Sequence, residues 1–390
     1  MADRVISDTI QYIGADDSTL DLFEGQYKIP EGVTYNSYVI LDEKIAVMDT
    51  VDPRAAEEWL EKLERVLGGK TPDYLVISHM EPDHGGSIRL LADKYKEMKL
   101  VGNTKTFQFL SQFFTMDIEG RKVVVKEGDT LALGSHTLQF AMAPMVHWPE
   151  VMVTYEQSEK VLFSADGFGT FGTDPDERCW INDARRYYLN IVGKYGASVQ
   201  GLLKKASALD ISMICPLHGP ILKENLPYYL EKYNIWSSYQ PEEEGVVIAC
   251  ASIHGHTLEA ARRLEQILIA KGEKNIKLFD LTRCDLSRAI EAAFRYDKMV
   301  LAAATYDGGV FPPMEDFLHH LASKAYQKRK IALVENGTWG PLAGKTMKGI
   351  LEGMKNLTVC ETMVTIKSAM KKDNVEQMEK MADELLELPS

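Results

Sequence analysis

The chain has 390 residues, with 44 Lys plus Arg against 57 Asp plus Glu and a formal charge of −13. At about 100–200 residues per domain, this length predicts two or three domains, and the acidic balance argues against a nucleic-acid partner, whose phosphates it would repel. No stretch approaches the roughly 18 apolar residues of a membrane span, and MADRVISDTI has no apolar leader core, so a soluble, cytoplasmic chain without a membrane partner is expected.

From residue 34 to about 220, short β-like runs recur: TYNSYVIL, KIAVMDT, YLVISH, KLVGN, KVVVKEGDTLALGSHTLQF, VMVTYE, KVLFSAD and ISMICPLHG. Between them lie helical patterns such as PRAAEEWLEKLERVLG, where Pro53 suits a first helical turn. Many strands with a few helices predict a mixed sandwich, sheets inside and helices outside. After PEEEG (241–245) the texture changes. Strands GVVIACA, KNIKLFD, KMVLAAATY, KIALVENG and NLTVCETMV alternate with helical runs, the last being NVEQMEKMADELLEL. Repeated β–α alternation predicts a doubly wound parallel sheet. The expected domains are therefore 1–243 and 244–390.

Metal-ligand residue types stand at the ends of the N-terminal strands. The stretch HMEPDHGG carries His79, Glu81, Asp83 and His84; His147 lies in APMVHWPE, Asp166 in LFSADGF and His218 in CPLHGP. A lone His or Asp at a strand end is usually a satisfied polar or turn residue. HxExDH is different, because so dense a cluster repels itself without a counter-cation. One tetrahedral metal would leave most of the seven donors unused, whereas two metals sharing a bridging carboxylate use all of them. His136, after a Gly-Ser turn, and His319 and His320, in a helical pattern, read as solvated. Zinc favours N and S donors and has no redox chemistry; mixed imidazole and carboxylate sets suit non-haem iron.

Three loops follow the C-terminal strands. The first offers Ser252, His254, Gly255, His256 and Thr257 at a helix N-terminus, where hydroxyls and N–H groups receive phosphate. The second holds Thr305, Tyr306, Asp307, Gly308 and Gly309; the third holds Asn336, Gly337, Thr338, Trp339 and Gly340. Their glycines permit close backbone approach and their aromatics suit a planar ring. One Gly-rich loop is only a turn; three in register at the carboxyl ends of a doubly wound sheet predict an FMN site. No GxGxxG follows the first strand, so direct NADH binding is not indicated.

HxExDH…H…D…H on a four-layer sandwich resembles the metallo-β-lactamase-like domain. With Glu81 in place of a histidine and a flavodoxin-like domain attached, the whole chain resembles the flavodiiron proteins (A-type flavoproteins). The resemblance implies an αββα sandwich followed by a flavodoxin-like sheet. It implies His79, Glu81 and His147 on one iron, Asp83, His84 and His218 on the other, and Asp166 as the bridge, with His84 replaced by water in some members. It implies FMN, reduction of O2 to water and/or NO to N2O, and a head-to-tail homodimer, possibly a tetramer, that sets one chain's FMN beside its partner's irons. The five cysteines form no CxxC pair and read as thiols of a reducing compartment. Without a CxxC…CxxC pair to hold a fused rubredoxin, electrons are expected from a separate carrier, rubredoxin or similar. Gly255-His256-Thr257 departs from the usual Gly-Asn-Thr of flavodoxin-like loops. Near the metals, Trp148, Tyr187 or Tyr188 is a candidate hydrogen-bond donor to a bound intermediate. Two other functions fit parts of the pattern: a dinuclear metallo-hydrolase with an appended electron-transfer domain, and a redox sensor or flavin carrier with a structural metal. Glu81 and the flavin loops disfavour the first, and the full ligand set disfavours the second.

Overall fold

A computed structural model describes residues 4–387. Its packing divides the chain into two units, 1–188 with 195–234, and 189–194 with 235–390. The division thus falls inside the helix Leu226–Ser237 and ahead of the expected 243/244 boundary, and it gives the short stretch 189–194 to the second unit.

In the first unit two sheets face each other. One orders its strands 10–12, 38–40, 46–48, 74–76, 99–102 and 122–124; the other orders 130–132, 137–142, 152–156, 161–163 and 213–215. The core lies between them, with Tyr38, Met48, Val76 and Val101 from the first sheet against Phe140, Met152, Phe163 and Cys215 from the second. Strand 161–163, Val-Leu-Phe, is buried along its whole length, which is why it reads as an unbroken apolar run; 152–156 is equally buried although it carries Thr154 and Glu156. The helix Ala56–Leu67 buries Trp59, Leu63 and Leu67 and ends at Gly68, whose φ of 55° is a left-handed cap. This is the expected αββα sandwich.

The second sheet also explains where its loops emerge. Strands 161–163 and 213–215 run parallel, while 152–156 is antiparallel to both 161–163 and 137–142. Strands 137–142, 161–163 and 213–215 therefore end on one edge, and the segments bearing His147, Asp166 and His218 follow those ends.

The second unit is one sheet of parallel strands in the order 276–280, 243–251, 296–306, 327–336 and 355–366, with 309–310 paired antiparallel to 305–306. Numbered along the chain the order is 2-1-3-4-5, the flavodoxin-like arrangement. Val246, Ile248 and Cys250 point to one face, packed with helices His256–Ala270 and Lys372–Glu387. Val247, Ala249 and Ala251 point to the other and are equally buried. Both faces are covered, as a parallel sheet requires.

Candidate metal centre and flavin cleft

The chain after strand 74–76 turns at Ser78 and His79, and the turn is held from behind. Asp49, buried at the end of strand 46–48, accepts the N–H of Ser78 at 2.6 Å and of His79 at 3.4 Å. Pro82 then opens a single helical turn, Pro82–Gly85, that carries Asp83 and His84. Gly85 and Gly86 fit there because a Cβ would lie 2.9 Å from the Met80 carbonyl oxygen and 2.4 Å from that of Pro82.

All seven predicted ligands meet, in two groups: His79, Glu81, His147 and Asp166; and Asp83, His84 and His218. Asp166 faces both. Its Oδ2 lies 3.0 Å from His147 Nε2 and 3.4 Å from His79 Nε2, and its Oδ1 lies 3.2 Å from His84 Nε2 and 3.8 Å from His218 Nε2. Glu81 Oε2 lies 3.2 Å from His79 Nε2 and 3.0 Å from His147 Nε2. Asp83 Oδ2 is 3.2 Å from His218 Nε2, and the Nε2 atoms of His84 and His218 are 3.0 Å apart.

Two backbone-side partners fix which ring nitrogen points inward. His79 Nδ1 donates to Glu150 Oε1 at 2.8 Å, and His218 Nδ1 donates to the Thr34 carbonyl at 2.6 Å, leaving both Nε2 atoms for the centre. Glu150, fully buried, also accepts the Met80 N–H at 2.9 Å. Neither Asp49 nor Glu150 was singled out from the sequence. Each is a single acidic letter beside an apolar strand, and only the fold brings it behind His79.

The donor set fits cations. Both carboxylate oxygens of Asp83 and His84 Nδ1 are buried without a hydrogen-bond partner. Burial opposes charge on His79, yet Asp166 and Glu150 hold its imidazole well above the ordinary value; in the same way Asp166 and Glu81 hold His147 up at about 9. Burial would raise Asp166, but His79, His147 and His84 hold it well below the carboxylate range. Fixed negative charge is thus gathered among buried side chains, where a proton on imidazole or a metal can balance it. Open positions and mixed N/O donors with Glu81 as the extra carboxylate match iron better than zinc.

Tyr187 is wholly buried, its ring centroid 5.6 Å from that of His218 and its hydroxyl unpartnered. Burial, then the charges of Asp166, Asp83 and Glu81, push its pKa far up, so the hydroxyl stays protonated. Trp148 meets His79 edge to face at 5.3 Å. A groove of about 370 Å³ beside His147 is lined by Phe109, Phe113, Met145, Trp148 and Pro149. His136 corrects its expected solvation. It is 3 % exposed, with Nδ1 3.0 Å from Glu156 Oε1, so it is a buried structural residue; on the helix Pro312–Ser323, His319 is exposed and His320 half-buried.

In the second unit, a cleft of about 640 Å³ opens at the carboxyl ends of strands 243–251, 296–306 and 327–336. Ser252, His254, His256, Thr257, Thr305, Tyr306, Asp307, Gly308, Asn336, Gly337, Thr338, Trp339 and Gly340 line it. Gly255 and Gly309 do not; they shape the loops, Gly255 through its φ of 93°. Ile253, Ala304, Leu342 and Ser368 line it without having been predicted, being apolar or remote from any motif. Thr305 Oγ1 is occupied by the N–H groups of Leu342 and Ala343, and Asn336 is tied to Ser368 in both directions, so these two clamp loops together. The cleft fits FMN. Thr257, 3 % exposed, offers a hydroxyl without a protein partner, while Trp339 and Tyr306 stand 94 % and 46 % exposed as aromatic walls awaiting cover.

Residues 33–219 match the family model described as "ODP family beta lactamase". The nitric oxide reductase of Moorella thermoacetica is 28 % identical, over 93 % of this chain and 92 % of that protein. The solved rubredoxin oxygen:oxidoreductase of Desulfovibrio gigas superposes with a TM-score of 0.92 at 27 % identity, covering 98 % of this chain and 97 % of that one. The flavodiiron protein of Giardia intestinalis shares the fold, with a TM-score of 0.92 at 24 % identity over 98 % and 96 % of the two chains. With seven facing donors in the sandwich and an FMN-shaped cleft in the 2-1-3-4-5 sheet, the chain belongs to the flavodiiron protein family.

Proposed function

We propose that this chain is an oxidoreductase that delivers electrons from a small carrier protein, rubredoxin or similar, to O2, NO or both. The observation that carries it is Asp166, whose two oxygens face two separate sets of donors, one of them including the Glu81 carboxylate. When bound, FMN supplies an electron-accepting ring, and two iron ions supply open positions at which O2 is reduced to water or NO to N2O.

The chain's own residues do the rest. His79, Glu81 and His147 would hold one ion and Asp83, His84 and His218 the other, with Asp166 offering one oxygen to each set. Glu81 adds negative charge where an imidazole would be neutral, which favours the more oxidised metal and so favours giving electrons away. Tyr187, buried and without a protein partner at Oη, keeps its proton and would be the donor available to a bound gas. The largely aromatic groove beside His147 offers an apolar seat for the flavin ring of a second copy, which supports a head-to-tail homodimer. Ser252, His254, His256, Thr257 and the loops 305–309 and 336–340 receive the FMN. Among the described residues no helix is long and apolar enough to cross a membrane, and all five cysteines are free, which supports a cytoplasmic setting. The domain proposal remains 1–243 for the metal-binding part and 244–390 for the flavin-binding part, with 189–194 packed on the latter.

The relatives' names supply the two gases separately: one is called a nitric oxide reductase, the other a rubredoxin oxygen:oxidoreductase. Anaerobic turnover with reduced rubredoxin, comparing O2 and NO consumption on one preparation of known iron and FMN content, tests the proposal. Consumption of either gas in step with iron content supports it. Stoichiometric zinc without iron, in protein made under iron-replete conditions, overturns it.

A further inference from the structure

We propose that His254 and His256 form, with Thr257, a charged clamp for the phosphate of FMN, making flavin affinity fall as pH rises through the histidine range. The inference rests on the flavin reading above and concerns how this chain holds that cofactor.

The cleft contains no lysine or arginine among its lining residues. Besides the Tyr306 phenol, its ionisable lining groups are His254, His256 and Asp307. A phosphate monoester carries close to two negative charges at neutral pH, and this chain is already at −13. Neutral donors are present at the loop. Thr257 lies in the first turn of the helix His256–Ala270, buried and lining the cleft, with its hydroxyl unpartnered. Ser252 Oγ is engaged by the Gly255 N–H at 3.0 Å, which folds the turn so that residues 254 and 256 flank it.

The two imidazoles sit at the end of the helix where a cation is unfavourable. A helix N-terminus carries partial positive charge, so protonated histidines there cost stability unless an anion lies between them and the helix. A phosphate on the Thr257 hydroxyl and the first-turn N–H groups reverses that sign. Both side chains are exposed at the mouth of the cleft that they line. The facing charges are few. From the same helix Glu259 Oε2 lies 3.6 Å from His256 Nδ1, and from the loop after strand 296–306 Asp307 lines the cleft; loop 336–342 and Ser368 contribute no charge. The phosphate, with a second pKa of about 6, is mostly dianionic at pH 6.5, and its remaining proton loss would tighten binding as pH rises. A weakening between pH 6.5 and 8.5 therefore reports the loss of imidazolium charge.

The test is titration of the flavin-stripped, full-length chain with FMN and with riboflavin at pH 6.5, 7.5 and 8.5, read by quenching of flavin fluorescence. Expected is an FMN Kd that rises about tenfold over this range, the factor for each unit by which phosphate raises an imidazole pKa, with riboflavin unchanged. In the double variant His254→Asn, His256→Asn the FMN slope disappears, riboflavin binds as before, and the melting temperature is retained. A flat FMN profile alongside normal riboflavin binding overturns the clamp and leaves the flavin reading standing. An FMN slope that survives in the double variant also overturns the clamp. Failure of both flavins to bind at every pH overturns the flavin reading and the clamp with it.

Discussion

Replacing Glu150 separates holding a ligand from being one. Glu150 touches no metal position; its Oε1 receives His79 Nδ1–H at 2.8 Å and Met80 N–H at 2.9 Å inside a fully buried site. Glu150→Ala strands both donors, at about 1–3 kcal/mol each, so it destabilises the fold as well as the site. Glu150→Gln is the sharper probe, because its amide oxygen still accepts both N–H groups while the negative charge behind the ring is gone. Loss of such an orienting carboxylate weakens metal binding about 10–100-fold, or roughly 1.4–2.7 kcal/mol. Half of the iron should therefore leave the Gln variant at a chelator concentration about ten or more times lower than for the parent, at nearly equal melting temperature. Iron held as tightly as in the parent would refute the role assigned to Glu150.

Stripping the metals should make stability pH-dependent. With Asp166 and Glu81 holding His147 near 9 against an ordinary 6.5, its charge stabilises the stripped fold fully below pH 6.5, and that contribution is lost as pH rises through 9. The loss is up to about 3 kcal/mol, seen as a melting temperature that falls from pH 6.5 to 9 in chelated protein and stays nearly level in iron-loaded protein; equal slopes would contradict it. Tyr187→Phe removes a buried hydroxyl that has no protein partner, so melting temperature and iron content should hold or rise slightly. If Oη donates to the bound gas, kcat falls about 10–100-fold in the same variant, and unchanged turnover would make Tyr187 a packing residue.

The metal cluster was legible because HMEPDHGG compresses four donors into six positions, a density that no turn or core requires. Its partners His147, Asp166 and His218 were legible because each closes an apolar strand. What supports them was not. Asp49 and Glu150 act across the fold on residues about 30 and 70 positions away, and the Thr34 carbonyl that turns His218 is a backbone atom without any side-chain signature. His136 looked like a turn residue beside Gly134 and Ser135, but a buried Glu156 on the paired strand claims it. In the second half, alternation of strand and helix implied the sheet, and strand order needed only the rule that the ligand sits at the switch point. Thr305 and Asn336 carry a task that no motif announces: both line the flavin cleft, and both also hold its loops together.

Trp339 also has an optical consequence. Of the five tryptophans, Trp59, Trp180 and Trp236 are buried and Trp148 is half-buried, whereas Trp339 stands almost wholly in water at the rim of the flavin cleft. A water-borne quencher such as iodide therefore reaches one indole in preference to the other four. Shielding of that indole reports occupancy of the cleft directly, without gas, carrier protein or turnover, so a single emission trace can count loaded chains in a mixed preparation.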